Sequence, residues 1–102
     1  MEIIKELSCL IDEEIDGACN YAKLALKFKE ERPQLAQTFY SLTVDEMKHI
    51  DILHDEVGRV ISDYRSAGHE VPVEMQAVYD YVHEKEIERV HHIKMYLEQY
   101  KE

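Results

Sequence analysis

Apolar residues recur every three or four positions along most of the chain, which is the spacing of one face of an α-helix. The pattern is interrupted twice, at residues 32–33 (Arg-Pro) and at residues 66–72. A proline ends one helix and suits the first turn of the next, and Gly68 can cap the C-terminus of a helix. The pattern therefore predicts three helices, at about residues 2–31, 33–67 and 72–101.

Each predicted helix carries one apolar stripe, and the connections between the helices are short. Short connections favour antiparallel neighbours. The fold class is therefore expected to be all-α, an antiparallel bundle of three long helices forming a single domain over residues 1–102. The stripe residues are Ile4, Leu7, Ile11, Ala18, Tyr21, Ala25 and Phe28 in the first helix, Leu35, Phe39, Leu42, Leu53, Val57, Val60 and Tyr64 in the second, and Met75, Val78, Tyr79, Val82, Val90, Ile93, Leu97 and Tyr100 in the third.

Charged residues interrupt all three stripes. Glu14, Glu46 and Glu86 each fall near the middle of an apolar arc, and His49 lies on the arc of Glu46 one turn further on. A buried carboxylate is costly unless it is paired, protonated or bound to a metal. A structural ion-pair network is one interpretation of the three acids. The other is a carboxylate-bridged metal site, whose oxygen and imidazole ligands suit iron or manganese.

The heights of these residues along the bundle test the second interpretation. Glu14 and His49 lie at nearly equal distances along the chain from the first turn, one before Glu31 and the other after Pro33, so the two are expected at the same height. His49 lies further from the second turn than Glu86 does, and the mismatch in height is roughly 7 Å. The ligand from the third helix therefore stays open. His83, one turn before Glu86, is either a further ligand or a partner of one.

The spacing Glu-x-x-His places two side chains on one helix face, where they can chelate an ion. It occurs at Glu46–His49 and again at Glu88–His91. Position on the core stripe favours the first pair as ligands, whereas the second pair is expected on a solvated face. The same solvated position is expected for His54, His69 and His92.

Composition narrows the classes of partner. The 102 residues include 22 acidic and 12 basic ones, for a net charge of −10. This charge disfavours nucleic acids and anionic membranes and favours small cations. The sequence has no apolar run long enough to span a membrane and no secretory signal pattern. Cys9 and Cys19 would lie about 15 Å apart on one helix and cannot pair, so a cytoplasmic location is expected.

Two segments resemble the ferritin-like superfamily, which includes bacterioferritins, rubrerythrins and encapsulated ferritins. Residues 14–21 (EIDGACNY) followed by AKLA resemble its first helix, and residues 45–49 (DEMKH) resemble the second-helix ligand motif of bacterioferritins. The resemblance covers about residues 3–61. It implies a di-iron carboxylate site in which Glu14, Glu46 and His49 are the ligands and the catalytic residues. Met47 matches the position where bacterioferritins ligate haem, and nothing else in the sequence supports haem.

The chain departs from the family pattern by having three long helices rather than four. A full di-iron set takes a Glu from each of two helices and a Glu-x-x-His from each of two others. One copy supplies half of this set, so two copies around a twofold axis would complete it, as encapsulated ferritins do at a dimer interface. The alternative keeps the site within one chain and recruits Glu86 and His83. Both arrangements stay open.

The expected function is iron handling by a small ferritin-like protein that forms a homodimer or a larger homo-oligomer. The resemblance implies a ferroxidase or a peroxide-consuming oxidoreductase whose substrates are ferrous iron and dioxygen or peroxide. Whether the chain is an enzyme stays open. The alternatives are a non-enzymatic helical interaction module that has kept the fold and lost the metal site, and an iron carrier without turnover.

Overall fold

The computed structural model describes residues 2–102, and nearly all of these residues lie in three helices. The helices are α1 (Glu2–Phe28), α2 (Pro33–Ser66) and α3 (Val73–Lys101). They form an elongated helical bundle of 56 × 19 × 18 Å, and no strand is present in this part of the chain. The all-α prediction is confirmed, and every helix begins and ends within a turn of its expected place.

The two connections end the helices for local reasons. Pro33 begins α2, where the N–H that proline lacks would have no helical partner. Gly68 follows α2 with a φ of 87°, a left-handed conformation that glycine adopts without strain. Its N–H donates to the carbonyl of Arg65 (3.0 Å), and the N–H of His69 donates to the carbonyl of Tyr64 (3.3 Å). These bonds satisfy carbonyl groups that the end of the helix leaves free.

The core lies along α1, which packs closely against α2 and less extensively against α3, whereas the backbones of α2 and α3 scarcely approach each other. Many of the buried residues at the α1–α2 contact are small, which allows the two backbones to come close. The buried residues are Ile4, Ile11, Ile15, Ala18, Ala22 and Ala25 of α1 and Ala36, Thr43, Ile50 and Val57 of α2.

The helices are rotated slightly from the orientation that the apolar stripes predict. Ile15 and Ile50 are buried, so their neighbours Glu14 and His49 lie at the flank of the bundle rather than at its centre. The side chains of Glu14, Glu46 and His49 are 29%, 23% and 52% exposed. The expectation that Glu14 and Glu46 occupy the middle of the apolar arc is therefore wrong. For Glu86 the expectation of a buried carboxylate is confirmed, because this residue is only 4% exposed.

Most of the side chains that hold α3 on the bundle are only partly buried, among them Val90 and Leu97. Over its described length only Glu86 and Ile93 are buried. Arg89 reaches across to α1, where its guanidinium pairs with Asp12 and Asp16. Several large apolar side chains of α3 face solvent instead, namely Val73, Val78, Tyr81, Ile87 and Met95.

Ile93 is expected to be the main apolar anchor of α3. Because its side chain is fully buried, Ile93→Ala should lower the free energy of unfolding by about 2–5 kcal/mol. Ile87→Ala is the matched control, since Ile87 is 55% exposed and its loss should change stability by less than about 0.5 kcal/mol. Urea unfolding followed by circular dichroism measures both, and equal effects would contradict the assignment.

Candidate metal centre

Glu14, Glu46 and His49 meet at the flank of the α1–α2 contact. Nδ1 of His49 donates a hydrogen bond to Oε2 of Glu14 (3.3 Å) and lies 3.9 Å from Oε1 of Glu46. One ligand atom from each residue lies within 4.8 Å of the others, and no other trio of His, Cys, Asp or Glu in residues 2–102 meets that condition. The structure thus brings together the three residues that the sequence predicts as ligands from α1 and α2.

Local helix geometry positions this cluster. Glu46 and His49 lie one turn apart on α2, so both point to the same side. On α1, Gly17 stands one turn after Glu14 and leaves room for the Glu46 side chain. A Cβ added at Gly17 would lie 3.4 Å from Oε2 of Glu46. Glu46 therefore rests directly over the backbone of α1, beside the carboxylate of Glu14.

The Glu14 and Glu46 carboxyl groups lie close enough to shift each other's pKa. A hydrogen bond between them is the largest influence on both groups: it lowers the pKa of Glu14, and it raises the pKa of Glu46 to about 7, with burial and the charge of Glu14 adding to the rise. Two like charges this close cannot both ionise easily without a cation. A divalent ion bound between them would favour the ionised form of both carboxyl groups.

The donor set of this cluster fits a hard or borderline divalent cation. It offers two carboxylates and one imidazole, the ligand types that suit iron, manganese and zinc rather than thiol-seeking ions. All three side chains retain solvent exposure. Three protein ligands leave coordination positions open to water, to a substrate or to ligands from another chain. The residues present thus fit a metal ion that is incompletely coordinated by one copy.

The structure places Glu86 and His83 in a different cluster. Oε2 of Glu86 accepts a hydrogen bond from Nε2 of His54 (3.1 Å), and the ring of His83 lies 4.8 Å from the ring of His54, centre to centre. Neither residue belongs to the group formed by Glu14 and its two partners. One chain therefore does not bring all five predicted ligands together.

His54 is the residue that the sequence reasoning missed. The sequence pattern predicts it on a solvated face, but its side chain is only 30% exposed and it contacts Glu86. The sequence does contain a signal for this contact. His54 precedes Gly68 by the same number of residues as Glu86 follows Pro72, so the two residues are expected at the same height on neighbouring helices. Comparing every histidine of α2 with Glu86, rather than His49 alone, would have identified the pair.

The other histidines that the sequence predicts on a solvated face are exposed. His69, His91 and His92 are exposed, as is Glu88, which pairs with Lys85 at 3.8 Å. The second Glu-x-x-His motif is thus a solvated one. Met47 packs against the apolar core. The two cysteines, Cys9 and Cys19, are free thiols.

Comparisons with known proteins supply no assignment for this chain. No protein-family model matches it, and neither does any curated protein or solved structure. None of the helices in residues 2–102 combines the length and the apolar character that crossing a membrane requires. The fold and the site therefore define an all-α helical bundle with a carboxylate–histidine cluster on its flank.

The Glu86 carboxyl gives a pH-dependent contribution to stability. Burial raises its pKa above the ordinary value of 4.5, while the hydrogen bond from His54 opposes the rise. The folded chain therefore holds this proton more tightly than the unfolded chain, and the resulting stabilisation is present at low pH and lost as the pH rises through the raised pKa. In metal-free protein, Glu86→Gln should match or exceed the parent's free energy of unfolding at pH 7. Below pH 4 the Glu86 carboxyl is protonated in both the folded and the unfolded chain, so the parent and the variant should have the same free energy of unfolding.

Glu88→Gln is the control for this measurement, because Glu88 is exposed and should shift stability by less than about 0.5 kcal/mol at either pH. Urea unfolding at pH 7 and below pH 4 measures the free energy of unfolding of the parent and of both variants. A Glu86→Gln variant clearly less stable than the parent at pH 7 would mean that the ion pair with His54 outweighs the cost of burial.

Proposed function

We propose that this protein is an antiparallel ferritin-like bundle that binds ferrous iron at Glu14, Glu46 and His49 and promotes its oxidation. The observation that carries the proposal is the convergence of two carboxylates and an imidazole, whose ligand atoms lie within 4.8 Å of one another. The net charge of −10 draws ferrous ions towards the surface. The resemblance of residues 14–21 and 45–49 to ferritin-like ligand motifs supports iron as the ion.

A second copy of the chain completes the site in this proposal. Two carboxylates and one histidine are half of the set that ferritin-like di-iron sites use. Apolar side chains flank the cluster on its solvent side: Leu10, one turn before Glu14, is 45% exposed, and Ile52, one turn after His49, is 60% exposed. Covering these residues is favourable. A twofold contact on this face would bury them and bring two half-sites together.

The chain's own residues would divide the work as follows. Glu14 and His49 would each help to hold an ion, and Glu46 would lose its proton and be shared between two ions. Four carboxylates from two copies would balance the charge of two ferrous ions, and oxide or hydroxide derived from water would balance the charge added when each ion loses one electron. Two ions supply the two electrons that reduce peroxide to water or dioxygen to peroxide. The bound ions thus provide the redox chemistry, and the carboxylates stabilise the more highly charged product.

An anaerobic ferrous titration tests this proposal. The purified chain should saturate at two irons per dimer, and air should then produce an oxo-bridged ferric absorption band. Glu46→Ala and His49→Ala should each weaken binding by more than about 10-fold. Glu88→Ala and His91→Ala are matched controls, because they remove the same spacing from a solvated face and should bind like the parent.

Three results would contradict this proposal in different ways. Saturation at two irons by a monomer would place the whole site within one chain. A folded chain that binds no iron would favour the helical interaction module, and binding without oxidation would favour an iron carrier.

The location of the dimer contact can be tested separately. Leu10→Asp and Ile52→Asp place charges on the flank of the cluster and should shift the solution mass from about twice 12.1 kDa to 12.1 kDa. Ile87→Asp, on the exposed face of α3, should leave the mass unchanged. Light scattering coupled to size exclusion measures this. A monomer produced by the Ile87 variant instead would place the contact on α3.

A further inference from the structure

A second cluster of metal-ligating side chains lies in the gap between α2 and α3. Its centre is Glu86, a carboxylate only 4% exposed and the one charged residue buried in the described part of the chain. Nε2 of His54 lies 3.1 Å from Oε2 of Glu86. His83 stands one turn before Glu86 on the same face of α3, and its ring centre is 4.8 Å from that of His54.

Two separations in this cluster, between His54 and Glu86 and between the rings of His54 and His83, are close to those around a tetrahedral ion. Two ligand atoms bound to zinc at about 2.0–2.2 Å lie roughly 3.3–3.6 Å apart, close to the separation between His54 and Glu86. Two imidazoles on one such ion have ring centres roughly 5 Å apart, close to that between His54 and His83. No choice of ligand atoms from His54, His83 and Glu86 brings all three within 4.8 Å of one another in this structure. His83, which stacks on Tyr79 at 5.6 Å, has to turn its ring to join them.

A solvent-filled cleft reaches His54 and Glu86, whereas His83 lies outside its lining. A cleft of about 280 Å³ opens beside His54 and Glu86, with apolar walls from Ile50, Ile87 and Val90. Arg89 does not neutralise Glu86 through an ion pair, because its guanidinium is bound to acids of α1. The ion pair that Glu86 forms in residues 2–102 is therefore with His54.

We propose that His54, His83 and Glu86 form a second metal site, which takes one zinc-class divalent ion and leaves a fourth position for water. Two imidazoles and one carboxylate are an established ligand set for zinc with an open position. The site is separate from the iron cluster, since His54 lies beyond His49 by about 7.5 Å along the axis of α2. An ion here would fasten α3 to α2, whose backbones scarcely approach each other.

The test uses a background in which the first cluster is removed by Glu46→Ala and His49→Ala. Titrating this folded double variant with Co²⁺ should give the visible absorption of a tetrahedral cobalt ion at one equivalent per chain, and Zn²⁺ should abolish it. Saturating Zn²⁺ should also raise the Tm by about 5 °C or more, because an ion that binds only the folded chain stabilises it. Far-UV circular dichroism confirms that each variant is folded.

Variants on the same background identify the ligands. His54→Ala and Glu86→Gln should each abolish the tetrahedral band, and His83→Ala should weaken cobalt binding by more than about 10-fold. His91→Ala is the control: this exposed histidine lines the same cleft, and its loss should leave the band intact.

Two outcomes would overturn the site. One is a folded double variant that gives no tetrahedral band. The other is a band that survives His54→Ala or disappears with His91→Ala. Because the first cluster is absent throughout, a failure of iron binding at Glu46 and His49 leaves this result unaffected.

Discussion

The close packing of α1 on α2 is the constraint on which the rest of the structure depends. Small side chains at the contact, among them Ala18, Ala22 and Ala36, let the two backbones approach, and Gly17 lets Glu46 lie against α1. This proximity forces Glu14 and Glu46 into one hydrogen bond, which a longer distance between the helices would not allow. The chemistry of the cluster is thus a consequence of how little side-chain volume separates the helices.

Much of the fold could be predicted from the sequence because its signals are local. Pro33 begins α2 and Gly68 follows its end because of their own backbone preferences, so both boundaries of α2 follow from two residues. The cluster could be predicted because equal distances from a turn fix the height of Glu14 and His49. The rotation of each helix about its own axis could not be predicted, because it depends on how all the side chains pack together. Burying Ile15 rather than Glu14 turns α1 by less than a third of a revolution, yet it moves the carboxylate from the core to the flank.

The two clusters contrast in how they treat a carboxylate. At the flank, Glu46 keeps some exposure and a neighbouring acid raises its pKa. In the α2–α3 gap, Glu86 is removed from water and its direct partner is an imidazole. A cluster rich in carboxylates and one rich in imidazoles favour different ions. One small bundle can therefore present two chemically distinct environments only a few turns apart.

The sparse attachment of α3 gives the bundle an uneven resistance to opening. Segments with few buried contacts unfold locally at a lower free energy than the rest of a protein. We expect α3 to detach while α1 and α2 stay paired, so its amide hydrogens should exchange with solvent first. The cluster of Glu14, Glu46 and His49 lies between α1 and α2. It should therefore keep its geometry while α3 opens.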